Sequence, residues 1–316
     1  MPIIVDSRPT EQLPPSKIHG IESPKYCSTC SALVGLILVK GLALGATSGK
    51  GICSSNCFVK GWAGTRIATK SLPAVIESGT SFDFFSKIDP QVLANSFVRN
   101  ADVTITTGNV THKLKEYPIP LGGGFTAYFY SLDYTNPSSN LIIGQFGKNY
   151  ALTILAENKT YRSTTTIPFL TKFPDSVWFK SAPQNPDTTL RVLFVKTTDP
   201  PGLGNYIRYF TRRNSESFLP GPNSVFDDAF IDGTTYNIQV EQGIDRNNPT
   251  VRDDNFFKKG DTVTLKLCNI DKPTYTFWNT WEFAQQSIGN PFSQPNKVIG
   301  NISNGALGAF CGYAAW

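Results

Sequence analysis

"YALTILAENKTYRSTTTIP", Tyr150 to Pro168, decides the fold class. Apolar and polar residues alternate on both sides of Glu157-Asn158-Lys159. A period of two belongs to a strand with one buried face. Leu152 and Ile154 point one way, and Tyr161 starts the return strand. The texture extends outward from this hairpin. Upstream, "ADVTITTG" puts Val103 and Ile105 on one face, and "THKLKEY" reads as its partner across Gly108 and Asn109. "FTAYFYSLDY" is a further aromatic strand. Downstream, "SVWFKSA", "LRVLFVKTTD", "NYIRYFTRRN", "TYNIQVEQG" and "DTVTLKLCNI" are candidate strands; in the last, Val263, Leu265 and Leu267 share a face.

Short strands at this rhythm predict a mainly β chain of two β-sandwich domains. The first, immunoglobulin-like, spans 66–170 and the second 171–316, with Pro168 and Pro174 bracketing the join. One helix is expected over 272–288, packed on the second sandwich, within "DKPTYTFWNTWEFAQQSIGNP". Asp271 can cap it, Pro273 suits its first turn and Gly289 can end it. Phe277, Trp281, Ala284 and Ile288 make one apolar stripe, and Trp278 with Trp281 is a candidate aromatic shelf for a ligand. Residues 1–65 read as a poorly defined leader, with the proline-rich "RPTEQLPPSK" near its start.

Composition narrows the function classes. Of 316 residues, 40% are hydrophobic and 17% charged, with 26 Gly and 22 Pro. The charged share is below the ~25% of an average soluble domain, and the mix favours strands and turns. The net charge of +5 is scattered, and its densest patch is Arg208, Arg212 and Arg213 in "YIRYFTRRN". That is a solvated strand face and no stripe, so nucleic acid is not an expected partner.

No chemical motif survives its own spacing test. In "ALGATSGKGICSSNC", Ala43 to Cys57, Gly45 and Gly49 enclose three residues where a phosphate loop needs four, and Gly51 follows Lys50. Cys27, Cys30, Cys53 and Cys57 have the spacing of a zinc clip, with local disulfides or free thiols as the alternative. The apolar run "ALVGLILVKGLALGA", Ala32 to Ala46 and interrupted by Lys40, is too short for a membrane helix of ~20 residues and has the length of an export segment. Two histidines, His19 and His112, do not make a triad or an imidazole metal site. No cofactor is expected.

The strongest acidic cluster is Asp227, Asp228 and Asp232 in "SVFDDAFIDGTTY". Paired carboxylates serve glycosidic hydrolysis, and hard oxygens bind calcium. Neighbouring carboxylates on an extended strand diverge, however, and the plainer reading is a polar turn before "TYNIQVEQ". Asp245, Asp253 and Asp254 lie in "GIDRNNPTVRDDNFF", a long loop fit to touch a partner. The turn Asp199 to Asn205 and the loop Asn290 to Asn304 are further candidate contacts.

Six blocks occur in order: "LGGGFTAYFY", "GKNYALTILAENKTYRSTTTIP", "DPPGLGNYIRYF", "SVFDDAFIDGTTY", "FFKKGDTVTLKLCNIDKPTYTFW" and "IGNPFSQPNKVIGNISNGALGAFCGY". Together, from about Phe82 to Tyr313, they resemble the Bacteroidota family of exported lipoproteins known as domain of unknown function 4249. The resemblance implies a two-part β protein of the cell envelope, at the outer membrane or cell surface. It also implies a TonB-dependent outer-membrane transporter as partner. It carries over no catalytic residue. The expected function is therefore a non-enzymatic accessory or binding protein, with an oligosaccharide or peptide as candidate ligand. A carbohydrate hydrolase using Asp227, Asp228 or Asp232 and a purely structural surface subunit are the alternatives.

Overall fold

The computed structural model realises the alternation as strands β1 (Ile3–Asp6), β2 (Ala32–Val39), β3 (Gly64–Ala68), β4 (Asp102–Thr107), β5 (Val110–Lys113), β6 (Lys115–Gly122), β7 (Phe125–Ser131), β8 (Lys148–Ala156) and β9 (Lys159–Ile167). There follow β10 (Pro174–Ser181), β11 (Leu190–Thr198), β12 (Tyr206–Arg213), β13 (Leu219–Phe226), β14 (Thr235–Val240), β15 (Phe257–Lys258), β16 (Thr262–Ile270), the helix α1 (Lys272–Gln286) and β17 (Gly308–Ala315). The structure describes the backbone of β1 to β3 and residues 98–316, apart from 123–124, 134, 137–141, 143, 184, 245–255, 288–296 and 307. The chain is mainly β with one helix among the described residues.

The hairpin at Tyr150 to Pro168 folds as read. β8 and β9 pair from Lys148↔Ile167 to Ala156↔Lys159. Glu157 and Asn158 both take positive φ, 50° and 60°. Two left-handed residues in succession make the type I′ turn, whose twist matches that of the flanking strands. Tyr150, Leu152, Ile154 and Ala156 therefore all face inward.

Three sheets result. β5-β4-β8-β9 form one four-stranded sheet; β10-β11-β14, with β15 on β11, form another; β13-β12-β16-β17-β2-β3-β7-β6, with β1 on β16, form a nine-stranded sheet. The boundary expected at residue 170 separates the two small sheets, while the large sheet takes strands from both sides of it. β1 and β2 come from the segment read as a leader. The first part of the apolar run with the length of an export segment, Ala32–Val39, is β2, paired with β17 and β3; the rest of the run lies outside the described residues.

The β12-β16-β17 part of the large sheet is covered on both faces, which explains its composition. Val263, Leu265 and Leu267 of β16 pack with Ile207 and Tyr209 of β12 against Leu193, Val195 and Val240 of the β10-β11-β14 sheet. Further along the same face, Phe310 and Ala314 of β17 meet Leu152, Ile154 and Ile167 of the β8–β9 hairpin. Gly312 lies between them, where a Cβ would come within 2.7 Å of the Thr166 carbonyl oxygen. The opposite face carries Phe210, Cys268, Ile270, Cys311 and Tyr313, packed against Phe277 and Trp278 of α1. Both thiols are buried and unpaired, and burial pushes each pKa up to about 12. With apolar partners on both sides, β16 is buried at every position from Val263 to Ile270.

Three expectations are corrected. "THKLKEY" is not one strand: it breaks at Leu114, with β5 in the small sheet and β6 in the large one, because a chain turning the corner between packed sheets must change partners. The helix runs Lys272–Gln286 with Ser287 as C-cap, two residues shorter than expected. Its buried face is Thr274, Phe277, Trp278 and Glu282; of the expected stripe, Phe277 is buried there, Trp281 packs against the same core while half-buried, Ala284 is half-buried, and Ile288 lies outside the described residues. The cap itself is as read. Asp271 Oδ1 accepts the Thr274 amide at 3.0 Å, and its Oδ2 accepts the Thr166 amide at 2.9 Å and the Thr165 hydroxyl at 2.8 Å. One carboxylate thus starts α1 and fastens it to β9.

Glu282 joins the buried face of the helix because it meets a buried arginine. Arg208, expected from the sequence on a solvated strand face, is instead 3% exposed, as is Glu282. The Arg208 guanidinium lies 3.4 Å over the Trp278 ring, donates to Ser224 Oγ at 3.1 Å and to the Tyr313 hydroxyl at 3.3 Å, and faces Glu282 at 3.8 Å. Glu282 also accepts the Ser224 amide at 2.7 Å and the Ser224 hydroxyl. Removing one member of such a pair leaves a buried charge uncompensated. Glu282→Ala is expected to lower stability by about 3–5 kcal/mol in urea unfolding monitored by circular dichroism; a loss below about 1 kcal/mol would show that Arg208 needs no anion.

Candidate functional site

Three chain crossings meet at one end of the β10-β11-β14 sheet. β9 passes to β10 through Lys172, β11 passes to the large sheet through Asp199 to Asn205, and β13 returns through Asp227 to Thr234. Each crossing contributes charge to one polar cluster.

Lys172 and Asp199 are its buried half. Their side chains are wholly buried, with Nζ 2.5 Å from Asp199 Oδ1. Asn269, at the end of β16, fixes the lysine backbone: Oδ1 accepts the Lys172 amide at 3.0 Å, and Nδ2 donates to the Lys172 carbonyl at 2.8 Å. The Asp199 amide donates to the Thr234 carbonyl at 2.9 Å, tying the second and third crossings. Asp199 Oδ2 and the Tyr236 hydroxyl are buried without a hydrogen bond. Burial raises the Tyr236 pKa, and the Lys172 charge opposes that rise.

Asp228 and Asp232 are the outer half. Asp228 Oδ2 accepts the amides of Gly204 at 2.7 Å and Asn205 at 2.8 Å. Asp232 Oδ1 accepts the Gly202 amide at 2.6 Å. Gly202 and Gly204 have φ of 107° and 122°, backbone that only glycine adopts readily, and this turns their N–H groups toward the carboxylates. "DPPGLGN" therefore needs both glycines for a directional reason. Burial pushes the Asp228 carboxyl up, but the Asn205 and Gly204 amides outweigh it, and its pKa lies below the ordinary aspartate value. One carboxylate oxygen from each of Asp199, Asp228 and Asp232 lies within 4.8 Å of the others.

The structure distributes the other sequence candidates as follows. Asp227 leaves the cluster, and its Oδ2 accepts the Tyr275 hydroxyl of α1 at 2.9 Å. The Asp227–Asp228 pair thus diverges, as neighbouring side chains do, and Asp199 takes the third place. Trp278 is 8% exposed, with Arg208 on its face and its Nε1 donating to the Tyr313 hydroxyl at 2.6 Å. Trp281 stands edge-on to it at 5.5 Å, so the two rings belong to the helix–sheet core and offer no open shelf. Residues 297–304 of the candidate loop lie along β9: Asn301 Oδ1 accepts the Ser163 hydroxyl and the Phe310 amide, and the Ser303 amide donates to the Arg162 carbonyl. Asp245, Asp253, Asp254, Cys27, Cys30, Cys53 and Cys57 lie outside the described residues.

Sequence reading missed Lys172 and the role of Asp199. The available signal was the glycine spacing in "DPPGLGN", which marks a loop whose amides face a partner. Away from this cluster, a groove of about 440 Å³ lined by His112, Lys113, Leu114, Lys115, Leu132 and Asp133 opens at the β5–β6 corner. Its Lys115 and Asp133 pair with each other at 3.2 Å.

A profile of the family described as "Domain of unknown function (DUF4249)" matches residues 74–315. The chain belongs to this family. No curated protein and no solved structure matched it. The DUF4249 match spans every residue of the polar cluster and all strands from β4 to β17.

A carboxylate whose folded pKa is depressed contributes stability above the ordinary aspartate pKa, and this is lost as pH falls through the folded value. For Asp228→Asn, the deficit against the parent chain is therefore expected to shrink as pH falls from about 7 to about 3 in thermal melts. A deficit constant over that range would show that the Gly204 and Asn205 amides do not favour the charged form.

Proposed function

We propose that the protein is a non-catalytic binding subunit of the cell envelope, an accessory to a TonB-dependent outer-membrane transporter that contacts its partner through the tips of the two loops around the acidic cluster. The observation that carries this reading is the pair of apolar side chains at those tips. Leu203 is 72% exposed and Phe230 is 99% exposed. Each sits in a loop held by carboxylate–amide bonds: Leu203 is flanked by Gly202 and Gly204, and Phe230 lies between Asp228 and Asp232. They are the two most exposed of the large apolar side chains among the described residues, and a partner that covers them takes their apolar surface out of water. A preordered loop also spares the partner the entropy of arranging it.

This choice of partner rests on the resemblance of the six ordered sequence blocks to exported envelope lipoproteins. Of the three carboxylates of the hydrolase alternative, Asp227 is turned away to Tyr275, while Asp228 and Asp232 each accept loop amides through one oxygen. Among the described residues no helix is long and apolar enough to cross a membrane.

A tagged chain expressed in its own host is expected to co-purify with an outer-membrane barrel. The double variant Leu203→Ser and Phe230→Ser is expected to lose at least about 90% of that barrel, since two central apolar anchors typically contribute about 2 kcal/mol or more each. Its melting temperature should match the parent's, as both side chains are exposed. Undiminished recovery of the barrel, or no barrel with either protein, would overturn the reading.

A further inference from the structure

We propose that Asp199, Asp228 and Asp232 together form a calcium site that pins the β11–β12 crossing to the β13–β14 crossing. The first observation is convergence. The three carboxylates come from two separate loops, yet each places an oxygen within 4.8 Å of the other two. Oxygens on opposite sides of one calcium ion, bonded at about 2.3–2.6 Å, stand up to about 5 Å apart.

The second observation is independent of that clustering. Asp199 is 1% exposed and its Oδ2 has no hydrogen-bond partner. Buried carboxylate oxygens are paired or coordinate a metal, because desolvating one without compensation is costly. Lys172 satisfies only Oδ1. Three carboxylates against one ammonium leave two formal negative charges, which a divalent cation matches.

The donor set selects the metal. All three protein ligands are hard oxygens, and no thiol or imidazole is among them. Hard cations take such ligands, and calcium accepts an irregular arrangement completed by carbonyls and water. Magnesium demands near-ideal octahedral geometry and gives up water reluctantly. Two of the carboxylates are buried and Asp232 is exposed, so the site has a wet entrance. The loop amides hold Asp228 and Asp232 in place, which fixes the two carboxylates before an ion arrives. The site does not depend on the transporter reading, because it involves this chain alone.

The test is a calcium titration of the full chain after chelator treatment, by calorimetry and by thermal melting. Binding is expected with Kd in the range of about 10⁻⁴–10⁻³ M, the range of extracellular modules, together with a rise in melting temperature. Asp232→Asn is expected to weaken binding at least about tenfold, with its calcium-induced melting shift measured against its own melting temperature in chelator. Absence of both heat and melting shift at about 10 mM calcium would overturn the proposal. So would parent-like binding by the variant, or an equal shift from magnesium at the same concentration.

Discussion

The buried contact between Lys172 and Asp199 is the constraint around which one end of this molecule is organised. It joins the link that leaves the β8–β9 hairpin to the link that leaves β11, and Asn269 of β16 holds the lysine backbone in place. All three sheets are thereby tied within a few ångströms. Such a pair need not be more stable than a well-packed apolar replacement. Its effect here is positional: with both charges buried, each segment can lie only where the other meets it. The outward loops inherit that order, and so do the carboxylates they carry.

The Arg208–Glu282 pair does the same on the opposite face of the large sheet. There the charge is shared among an aromatic ring, a serine and a tyrosine hydroxyl, so the guanidinium is met on several sides. The two pairs explain why a chain with few charged residues keeps some of them in its interior. The β12-β16-β17 part of the large sheet is covered on both faces, and polar groups caught between layers must find partners there.

Legibility followed sequence distance. The β8–β9 hairpin, the face of Val263, Leu265 and Leu267, and the Asp271 cap depend on neighbours a few residues away, and each could be read directly. The orientation of α1 could not, because Glu282 looks like a solvent-facing residue until Arg208, more than seventy positions earlier, is placed beneath it. The break at Leu114 was almost as well hidden. Its one local trace is the doubled polar pair Lys115-Glu116 that interrupts the alternation, and the change of partner itself follows from the stacking of two sheets. The acidic cluster was half visible: Asp228 and Asp232 lie close in sequence, whereas Asp199 joins them through a β-connection and Lys172 through another.

The position of β17 has a consequence for biogenesis. This strand lies inside the large sheet, between β16 and β2, and is synthesised after all sixteen other described strands. A nascent chain emerging from the ribosome or an export channel therefore leaves a gap beside β16 until residues 308–315 arrive. Its contacts with β2 span most of the sequence, the kind of topology that closes slowly. Chaperones that recognise unpaired apolar strands have a defined target during that interval, and a premature stop codon before Gly308 would leave it open permanently.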